Sequence, residues 1–271
     1  MSETLDTDTV VVGLGGMGSQ ALWHLARRGV DTIGVEQFLP GHDRGSSHGE
    51  SRIIRTAYLE GEEYVPFVRA AWRAWRALEE ASGELLLRRT GARRAGPARS
   101  GAVTGSIAAA EHHHLPHRRL TRAEVEERFP QHRLRPGEEG VHEEEGGVLL
   151  PEAATRAAVR LAKASGARVL TGAEVTRVVA DADRPHVWVG PTRIRARRVV
   201  VTAGSWLSTL LPGPFDRGLR VERRVLGWFR TTESSPPHAD GPVFAREEDD
   251  GTLWYGFPSM DGRTVKIGVH A

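Results

Sequence analysis

His48, Arg52 and Arg55 are side chains whose types and spacing could carry chemistry, and they fall within GSSHGESRIIR, residues 45–55. Two isoleucines separate the two arginines, so this stretch is not a solvated run of charge. A guanidinium presents a fork of donors that matches a carboxylate in bidentate geometry. The stretch therefore predicts a site for anionic groups, held close to a glycine- and serine-rich backbone.

A glycine-rich turn, GLGGMG, precedes it at residues 13–18. The residues before the turn are β-branched and apolar and predict a buried parallel strand, and those after it have the apolar spacing of a helix. Gly13, Gly15 and Gly18 then give the G-x-G-x-x-G pattern of dinucleotide-binding proteins. In that pattern the first glycine allows a tight turn, the second lets backbone approach a pyrophosphate, and the third allows close helix–strand contact.

Glu36 ends a second predicted strand, DTIGVE, at the spacing expected of the acid that hydrogen-bonds a ribose hydroxyl. A carboxylate at this position disfavours a 2′-phosphate, which argues against NADP. These residues leave both NAD and FAD open.

Residues 10–80 resemble the monomeric sarcosine oxidase and N-methyltryptophan oxidase family of flavoproteins. VVGLGGMGSQALWHLARRG matches the FAD fingerprint of that family. HDRGSSHGESRIIRTAY (42–58), followed by EGEEYVP (60–66), matches its most distinctive motif. NAD dehydrogenases and other FAD oxidoreductases do not share this second motif, so the resemblance implies FAD.

The resemblance also implies roles for the cations of the motif. His48 and Arg52 would lie against the flavin ring, where a fixed positive charge stabilises the reduced, anionic flavin, and Arg55 would hold the substrate carboxylate. Ser46 belongs to the part of the motif that brings backbone close to the cofactor. Further along the chain, Val175 matches the residue whose backbone meets the adenine. Gly204 lies in the second flavin-contacting turn, AGSW.

Two later segments, YGFPS (255–259) and KIGVH (266–270), match further motifs of the family. Tyr255 and His270 would line the substrate pocket. Lys266 would sit over the flavin, and in the family this lysine is linked to the reaction of reduced flavin with dioxygen. We therefore assign His48, Arg52 and Lys266 to catalysis. Of the 37 lysines and arginines only two are lysines, which modestly favours a functional role for Lys266.

The predicted fold is mixed α/β: a Rossmann-type FAD-binding domain interleaved with an antiparallel-sheet substrate domain. We place the first in residues 1–87 and 148–215, and the second, incomplete, in residues 88–147 and 216–271. The second domain is predicted from period-two patterns near its end.

Two segments earlier in the second domain are predicted to be connections rather than strands. Residues 88–105 combine Pro, Gly and several arginines and predict a loop, since strand propensity there is poor. Residues 137–147 predict a polar, glycine-bounded connection. The histidines of EHHHLPHRR (111–119) are interpreted as a polar helix end, because consecutive histidines point in different directions and do not converge on a metal.

The composition argues against several classes of function. The 271 residues contain no cysteine and carry a net charge of +2, with scattered arginines that argue against a nucleic-acid surface. No apolar run reaches membrane-spanning length, and the polar, acidic first residues are not a signal peptide. We expect a cytoplasmic protein with no metal, no nucleic-acid partner and no membrane contact.

The resemblance thus predicts an FAD-dependent oxidase of secondary amino acids that uses dioxygen and yields an imine and hydrogen peroxide. Sarcosine, N-methyltryptophan and pipecolate all remain open as substrates. Family members continue for a further segment that carries the cysteine attaching the flavin, so we expect non-covalent FAD here and a truncated chain or a partner that completes the site. The alternative is a catalytically incompetent flavin-binding remnant; an NAD-dependent dehydrogenase ranks third.

Overall fold

The computed structural model of the protein describes residues 3–58, 61–180, 183–211, 213, 218–232 and 238–270. Glu60 of the second motif, the predicted domain boundary at 215–216 and Ala271 lie outside the described residues.

The strands of the described residues alternate with helices in the first half of the chain and follow one another near its end. In chain order they are β1 Thr4–Val12, β2 Thr32–Glu36, β3 Arg52–Arg55, β4 Leu87–Arg89, β5 Ala92–Pro97, β6 His117–Leu120, β7 Glu138–Glu143, β8 Gly146–Leu149, β9 Arg168–Thr171, β10 Val175–Val179, β11 His186–Val189, β12 Thr192–Val201, β13 Leu226–Arg230, β14 Val243–Glu247, β15 Leu253–Gly256 and β16 Thr264–His270.

The α-helices are α1 Gly16–Ala26, α2 Val65–Ser82, α3 Gly101–His112, α4 Arg122–Arg128, α5 Pro151–Ala164 and α6 Leu207–Leu210, with 3-10 turns at Glu62–Tyr64 and Gly204–Trp206. Three local features mark helix ends: the capping box of Thr121 and Glu124 at the start of α4, Pro151 in the first turn of α5, and Gly166 with φ of +96° after the end of α5.

The chain divides into two compact, discontinuous units. The first comprises Met1–Glu50, Ala77–Leu86 and Leu150–Glu222, and the second Ser51–Arg76, Leu87–Leu149 and Arg223–Ala271. Ser51–Arg76 therefore belongs to the second unit, whereas the sequence-based boundary groups it with the first. The cofactor and substrate roles assigned to the two domains stay predictions.

The first unit contains a six-stranded sheet in the order β10-β11-β12-β1-β2-β9. β1 pairs in parallel with both β12 and β2, and β2 pairs in parallel with β9. Val10, Val11 and Val12 are at most 3% exposed, as a parallel strand covered on both faces requires. This confirms the strand–turn–helix prediction for the start of the chain and brings the ends of β1, β2 and β12 together.

The second unit contains a seven-stranded sheet in the order β13-β16-β15-β14-β5-β7-β6, antiparallel except for the β14–β5 pair. The period-two prediction for the last strands is confirmed. A second, three-stranded sheet, β3-β8-β4, holds Arg52 and Arg55 opposite Leu149 and Gly146. Trp72 and Trp75 of α2 are partly buried against Ile54 and its neighbours, so they pack in the core of this unit.

The loop prediction for residues 88–105 is wrong. β5 lies inside the large sheet between β14 and β7, and α3 begins at Gly101. Arg93 and Arg94 are 3% and 1% exposed. Strand propensity depends on a residue's neighbours in the sheet, and here a buried carboxylate accepts from Arg94, which a single sequence does not reveal.

The prediction of a polar connection at residues 137–147 is wrong for the same reason. β7 and β8 occupy most of this segment, and Glu138 and Glu143 are 7% and 2% exposed. Each carboxylate is paired with an arginine of the same unit, Arg246 and Arg94 respectively. A strand that contains buried, paired acids is as polar in composition as a surface turn, so composition alone does not distinguish the two.

Candidate active site

A cavity of about 520 Å³, here called the first cavity, lies in the first unit at the carboxyl ends of β1, β2 and β12. Ligands of open parallel sheets bind at this edge. Its lining includes six of the residues predicted to bind the cofactor: Gly13, Gly15, Glu36, Ser46, Val175 and Gly204.

Two glycines of the turn are required by its geometry. Gly13 has φ of +84°, and a Cβ there would lie 2.7 Å from the carbonyl oxygen of Thr202. A Cβ on Gly18 would lie 1.8 Å from the carbonyl oxygen of Gly13, so α1 can approach β1 this closely only without a side chain. Gly18 does not line the first cavity. A Cβ on Gly15 would lie 3.7 Å from its nearest neighbour, the Oγ of Ser47, and without one the backbone is bare toward the cavity.

Ser47 is a site residue that the sequence analysis missed. Its Oγ accepts from the N–H of Gly16 at 2.9 Å, at the start of α1. The hydrogen bond ties the loop carrying Ser46 to the helix N-terminus, whose free N–H groups and dipole favour anions. The signal in the sequence that could have identified Ser47 is its position next to Ser46, a predicted cofactor contact.

Glu36 is 3% exposed and held from two sides. Its Oε2 accepts from the N–H of Leu14 at 2.7 Å, and its Oε1 accepts from the N–H of Phe38 at 3.0 Å. The Nε2 of His42 lies 3.5 Å from Oε1. The carboxylate thus fixes the glycine turn to the end of β2 while it lines the cavity.

A second cavity, of about 220 Å³, lies in the second unit. It brings together the predicted residues Arg52, Arg55, Tyr255, Lys266 and His270, which come from separate parts of the sequence. Arg93, Arg94, Tyr58 and Phe257 also line it. No acidic side chain is among the described residues that line it, so its wall favours anionic ligands.

Lys266 is a buried cation, 4% exposed. Its Nζ donates to the carbonyl oxygen of Ser51 at 3.0 Å and to the Oγ of Ser51 at 3.1 Å. The ammonium also lies 4.7 Å from the ring centroid of Phe257 and 5.4 Å from that of Trp228. Aromatic faces attract a cation without neutralising it, so the charge is held in place at low exposure.

Ser51 and Tyr58 position the arginines of β3 and were not predicted. The Nη1 of Arg52 donates to the carbonyl oxygen of Ser51 at 2.7 Å, so one carbonyl accepts from both Arg52 and Lys266. The guanidinium of Arg55 lies 4.6 Å from the ring centroid of Tyr58. Stacking on an aromatic ring orients the guanidinium plane.

The segment after Arg55 is held by a buried ion pair, also missed from the sequence. The Nη2 of Arg94 donates to the Oε1 of Glu143 at 2.6 Å and also to the carbonyl oxygen of Ala57. Glu143 accepts in addition from the N–H of Ala57 at 2.8 Å and from that of Thr56 at 3.2 Å. The pair therefore fixes the backbone between Arg55 and Tyr58.

The comparison with protein families decides between the two cofactors that the sequence left open, NAD and FAD. The model for the FAD dependent oxidoreductase family matches residues 8–271. The chain belongs to the FAD dependent oxidoreductase family. As a member of it, the protein is an FAD-dependent oxidoreductase.

Similar proteins within the family cover almost the whole chain. The monomeric sarcosine oxidase of Arthrobacter sp. (strain TE1826) is 36% identical over 273 residues, which is 100% of this chain and 70% of the relative. The N-methyl-L-tryptophan oxidase of Citrobacter koseri is 31% identical over 97% of this chain and 70% of its own length. The resemblance inferred from the two motifs is confirmed.

Solved structures agree on the fold. The open form of NikD, an unusual amino acid oxidase essential for nikkomycin biosynthesis, matches with a TM-score of 0.81 and 25% identity over 98% of this chain and 70% of NikD. Glycine oxidase from Geobacillus kaustophilus matches with a TM-score of 0.76 and 19% identity over 98% of this chain and 71% of its own. The predicted mixed α/β fold is confirmed.

The first cavity fits the adenosine-diphosphate part of FAD. It offers a bare glycine backbone, the start of a helix for a pyrophosphate, and the carboxylate of Glu36 for ribose hydroxyls. When bound, FAD supplies the two-electron acceptor of the family's chemistry.

His48, like Gly18, is a predicted site residue that the structure does not place in either cavity. It is half-buried in the first unit and lines neither cavity.

Among the described residues, no group of histidines and acids has the arrangement of a metal site, including the histidines at the end of α3. No helix of the described residues is long and apolar enough to cross a membrane.

Proposed function

We propose that the protein oxidises secondary amino acids, N-methyl or cyclic, to the imine and passes the electrons to dioxygen. The observation that carries this proposal is the second cavity, where two arginines, a lysine, a tyrosine and a histidine from distant segments line one small space. The names of the relatives, sarcosine oxidase and N-methyltryptophan oxidase, support a carboxylate-bearing amine as substrate.

Arg55 binds the substrate carboxylate in this proposal. Its guanidinium is stacked on Tyr58 and follows a backbone segment fixed by Glu143, so its fork is pre-oriented for bidentate contact. Tyr255 and His270 line the same cavity and shape the space for the rest of the substrate.

Lys266 acts on the oxidative half of the reaction. The substrate loses two electrons and two protons and becomes an imine, which water hydrolyses, and dioxygen takes up the equivalent electrons and protons as hydrogen peroxide. Developing negative charge on dioxygen is stabilised by a nearby fixed cation. Lys266 supplies a compact ammonium that is buried, held by the carbonyl oxygen of Ser51 and placed over the ring of Phe257.

Arg52 and His48 are proposed as flavin contacts. For Arg52 the support is its place in the wall of the second cavity. For His48 the support is the motif alone. His48→Gln is expected to change the flavin spectrum or content, and an unchanged holoprotein would remove His48 from the site.

The test separates turnover from flavin binding. Purified holoprotein is mixed anaerobically with sarcosine, N-methyltryptophan or pipecolate, and bleaching of the yellow flavin band is followed. Air is then admitted and hydrogen peroxide is measured with a coupled peroxidase. Bleaching by at least one amino acid, followed by peroxide, is the expected result. A yellow protein that no secondary amino acid reduces would favour the flavin-binding remnant instead.

Arg55→Lys is the matched variant for this experiment. A point charge replaces a bidentate clamp, so KM for the amino acid is expected to rise while the flavin content stays the same. Loss of flavin with an unchanged KM in the remaining holoprotein would make Arg55 a cofactor residue.

A further inference from the structure

A third cavity, of about 540 Å³, lies in the second unit on the other face of the large sheet. Adjacent residues of a strand point to opposite faces, so Arg93 and Arg94 of β5 diverge. Arg94 is paired with Ala245 of β14, and Arg93 with Phe244. Arg93 therefore shares its face with Phe244, which lines the third cavity together with Arg93, His132, Arg246, Trp254 and Ile267.

Arg93 carries a buried charge that the described residues do not pair. The residue is 3% exposed, and its Nε and Nη1 have no hydrogen-bond partner among them. Burial and the positive charge of Arg246 lower the pKa of Arg93 to about 9, so the guanidinium remains charged at neutral pH. Burying a charge without a partner is strongly unfavourable.

The acidic side chains near Arg93 are already paired with other arginines. Glu138 accepts from the Nη2 of Arg246 at 2.7 and 2.9 Å, and its attraction acts on Arg93 only from a distance. Glu248 accepts from the Nη1 of Arg135 at 2.7 Å and lies 3.4 Å from the Nε of Arg246. These pairs leave the positive charge of Arg93 in excess on this face.

Apart from Arg133, the remaining wall is neutral or apolar. Burial lowers the pKa of His132 to about 2, so His132 is uncharged at neutral pH. Trp254 is 40% exposed and Phe229 is 58% exposed, and both line the third cavity, so apolar surface leads from solvent toward Arg93. A ligand that matches this wall has one anionic end and one flat apolar end.

We propose that the third cavity binds an organic monocarboxylate, with its carboxylate on Arg93 and its apolar part on Phe244, Trp254 and Ile267. The anion supplies a charged acceptor for the guanidinium of Arg93, whose Nε and Nη1 have no hydrogen-bond partner among the described residues. Arg93 and Phe244 also line the second cavity, but His132, Trp254 and Ile267 line only the third, and the proposed site does not depend on the proposed oxidation.

Benzoate is the probe, and benzyl alcohol, similar in shape but uncharged, is its control. Binding to the holoprotein is measured by calorimetry and by the rise in Tm. Benzoate is expected to bind and raise Tm, whereas benzyl alcohol does so much less. Equal binding of the two compounds would overturn the proposal, because the charge of Arg93 would then contribute nothing.

Variants locate the benzoate site. Binding is expected to persist in Arg55→Met, to disappear in Arg93→Met, and to weaken roughly tenfold in Arg93→Lys, which keeps the charge but not the fork. Arg93→Lys also serves if Arg93→Met does not fold. Binding lost in Arg55→Met and kept in both Arg93 variants would place benzoate in the second cavity and overturn the proposal.

Discussion

The first and second cavities are built in different ways. The first is defined by backbone: two glycines that tolerate no Cβ, a helix N-terminus, and one acid that ties the turn together. The second is defined by charged side chains on strands far apart in sequence. We therefore expect changes to the glycine turn and to Glu36 to weaken or abolish flavin binding, and single changes in the second cavity to leave a folded flavoprotein with a specific defect.

Gly18→Ala tests the backbone side of this comparison and is expected to have the largest effect on flavin content. The new Cβ would meet the carbonyl oxygen of Gly13 at 1.8 Å, and backbone on both sides cannot yield without moving α1 from β1. We expect no flavin in the purified protein and a loss of stability at or beyond the roughly 1–3 kcal/mol of ordinary overpacking. Flavin content and urea unfolding measure the two effects.

Gly15→Ala is the matched control for this change. A Cβ at Gly15 has 3.7 Å to its nearest neighbour and φ there is −67°, so the apoprotein should fold normally. Flavin affinity should still fall, because the Cβ stands where a pyrophosphate approaches the backbone. Similar stabilities for Gly15→Ala and Gly18→Ala would refute the assignment of Gly18 to helix–strand contact.

Arg94→Met addresses the buried pair that supports the second cavity. It leaves the carboxylate of Glu143 buried with only backbone donors, and breaking such a pair costs about 3–5 kcal/mol. Urea unfolding of the apoprotein gives the free energy. Arg122→Met, which removes one partner of an exposed pair on α4, should cost less than about 0.5 kcal/mol. Equal losses would mean that Arg94 has no special role in stability.

The contrast between the cavities also explains how far sequence reasoning reached. The turn at Gly13, the helix after it and Glu36 form one continuous stretch, so spacing alone predicted their geometry. The Arg94–Glu143 pair joins β5 to β7 across 49 residues, and both strands had been read as irregular because their composition is polar. A pairing that makes a polar strand stable becomes visible only in three dimensions.

The sequence motifs identify the cations of the second cavity, but they do not identify the residues that hold those cations in place. Ser51, which accepts from both Arg52 and Lys266, stands one residue from a predicted cation and carries no distinguishing pattern. His48, by contrast, was predicted by the motif and lies outside both cavities. Motifs thus identify residue types more reliably than they identify what each side chain contacts.

Lys266→Met separates the two half-reactions in the second cavity. Anaerobic reduction by the amino acid should be nearly unchanged, whereas reoxidation by dioxygen should slow by roughly 10²–10³, the equivalent of about 3–4 kcal/mol of electrostatic stabilisation. Stopped-flow measurement of each half-reaction checks this. Equal slowing of both halves would indicate a structural role through Ser51, and normal reoxidation would remove Lys266 from the mechanism.

Glu36→Gln is expected to have the smallest effect of these main substitutions, and it tests the role of one side chain in the first cavity. The amide keeps the size of the side chain, so the fold should survive, but it loses the charge that accepts from Leu14 and lines the cavity. A hydrogen bond to a charged group contributes about 1.5–3 kcal/mol, so FAD affinity is expected to fall by roughly one to two orders of magnitude. Titration of the apoprotein with FAD gives the dissociation constant.

Glu174→Gln provides the comparison that makes this result specific, because Glu174 is a second acid lining the first cavity but is exposed. If affinity depends only on the negative charge of the cavity, both variants should weaken FAD binding alike. If Glu36 acts through directed hydrogen bonds from a buried position, Glu174→Gln should bind FAD nearly as the unchanged protein does, since an exposed charge is screened by solvent. Unchanged affinity in Glu36→Gln would instead leave recognition to the glycine backbone alone.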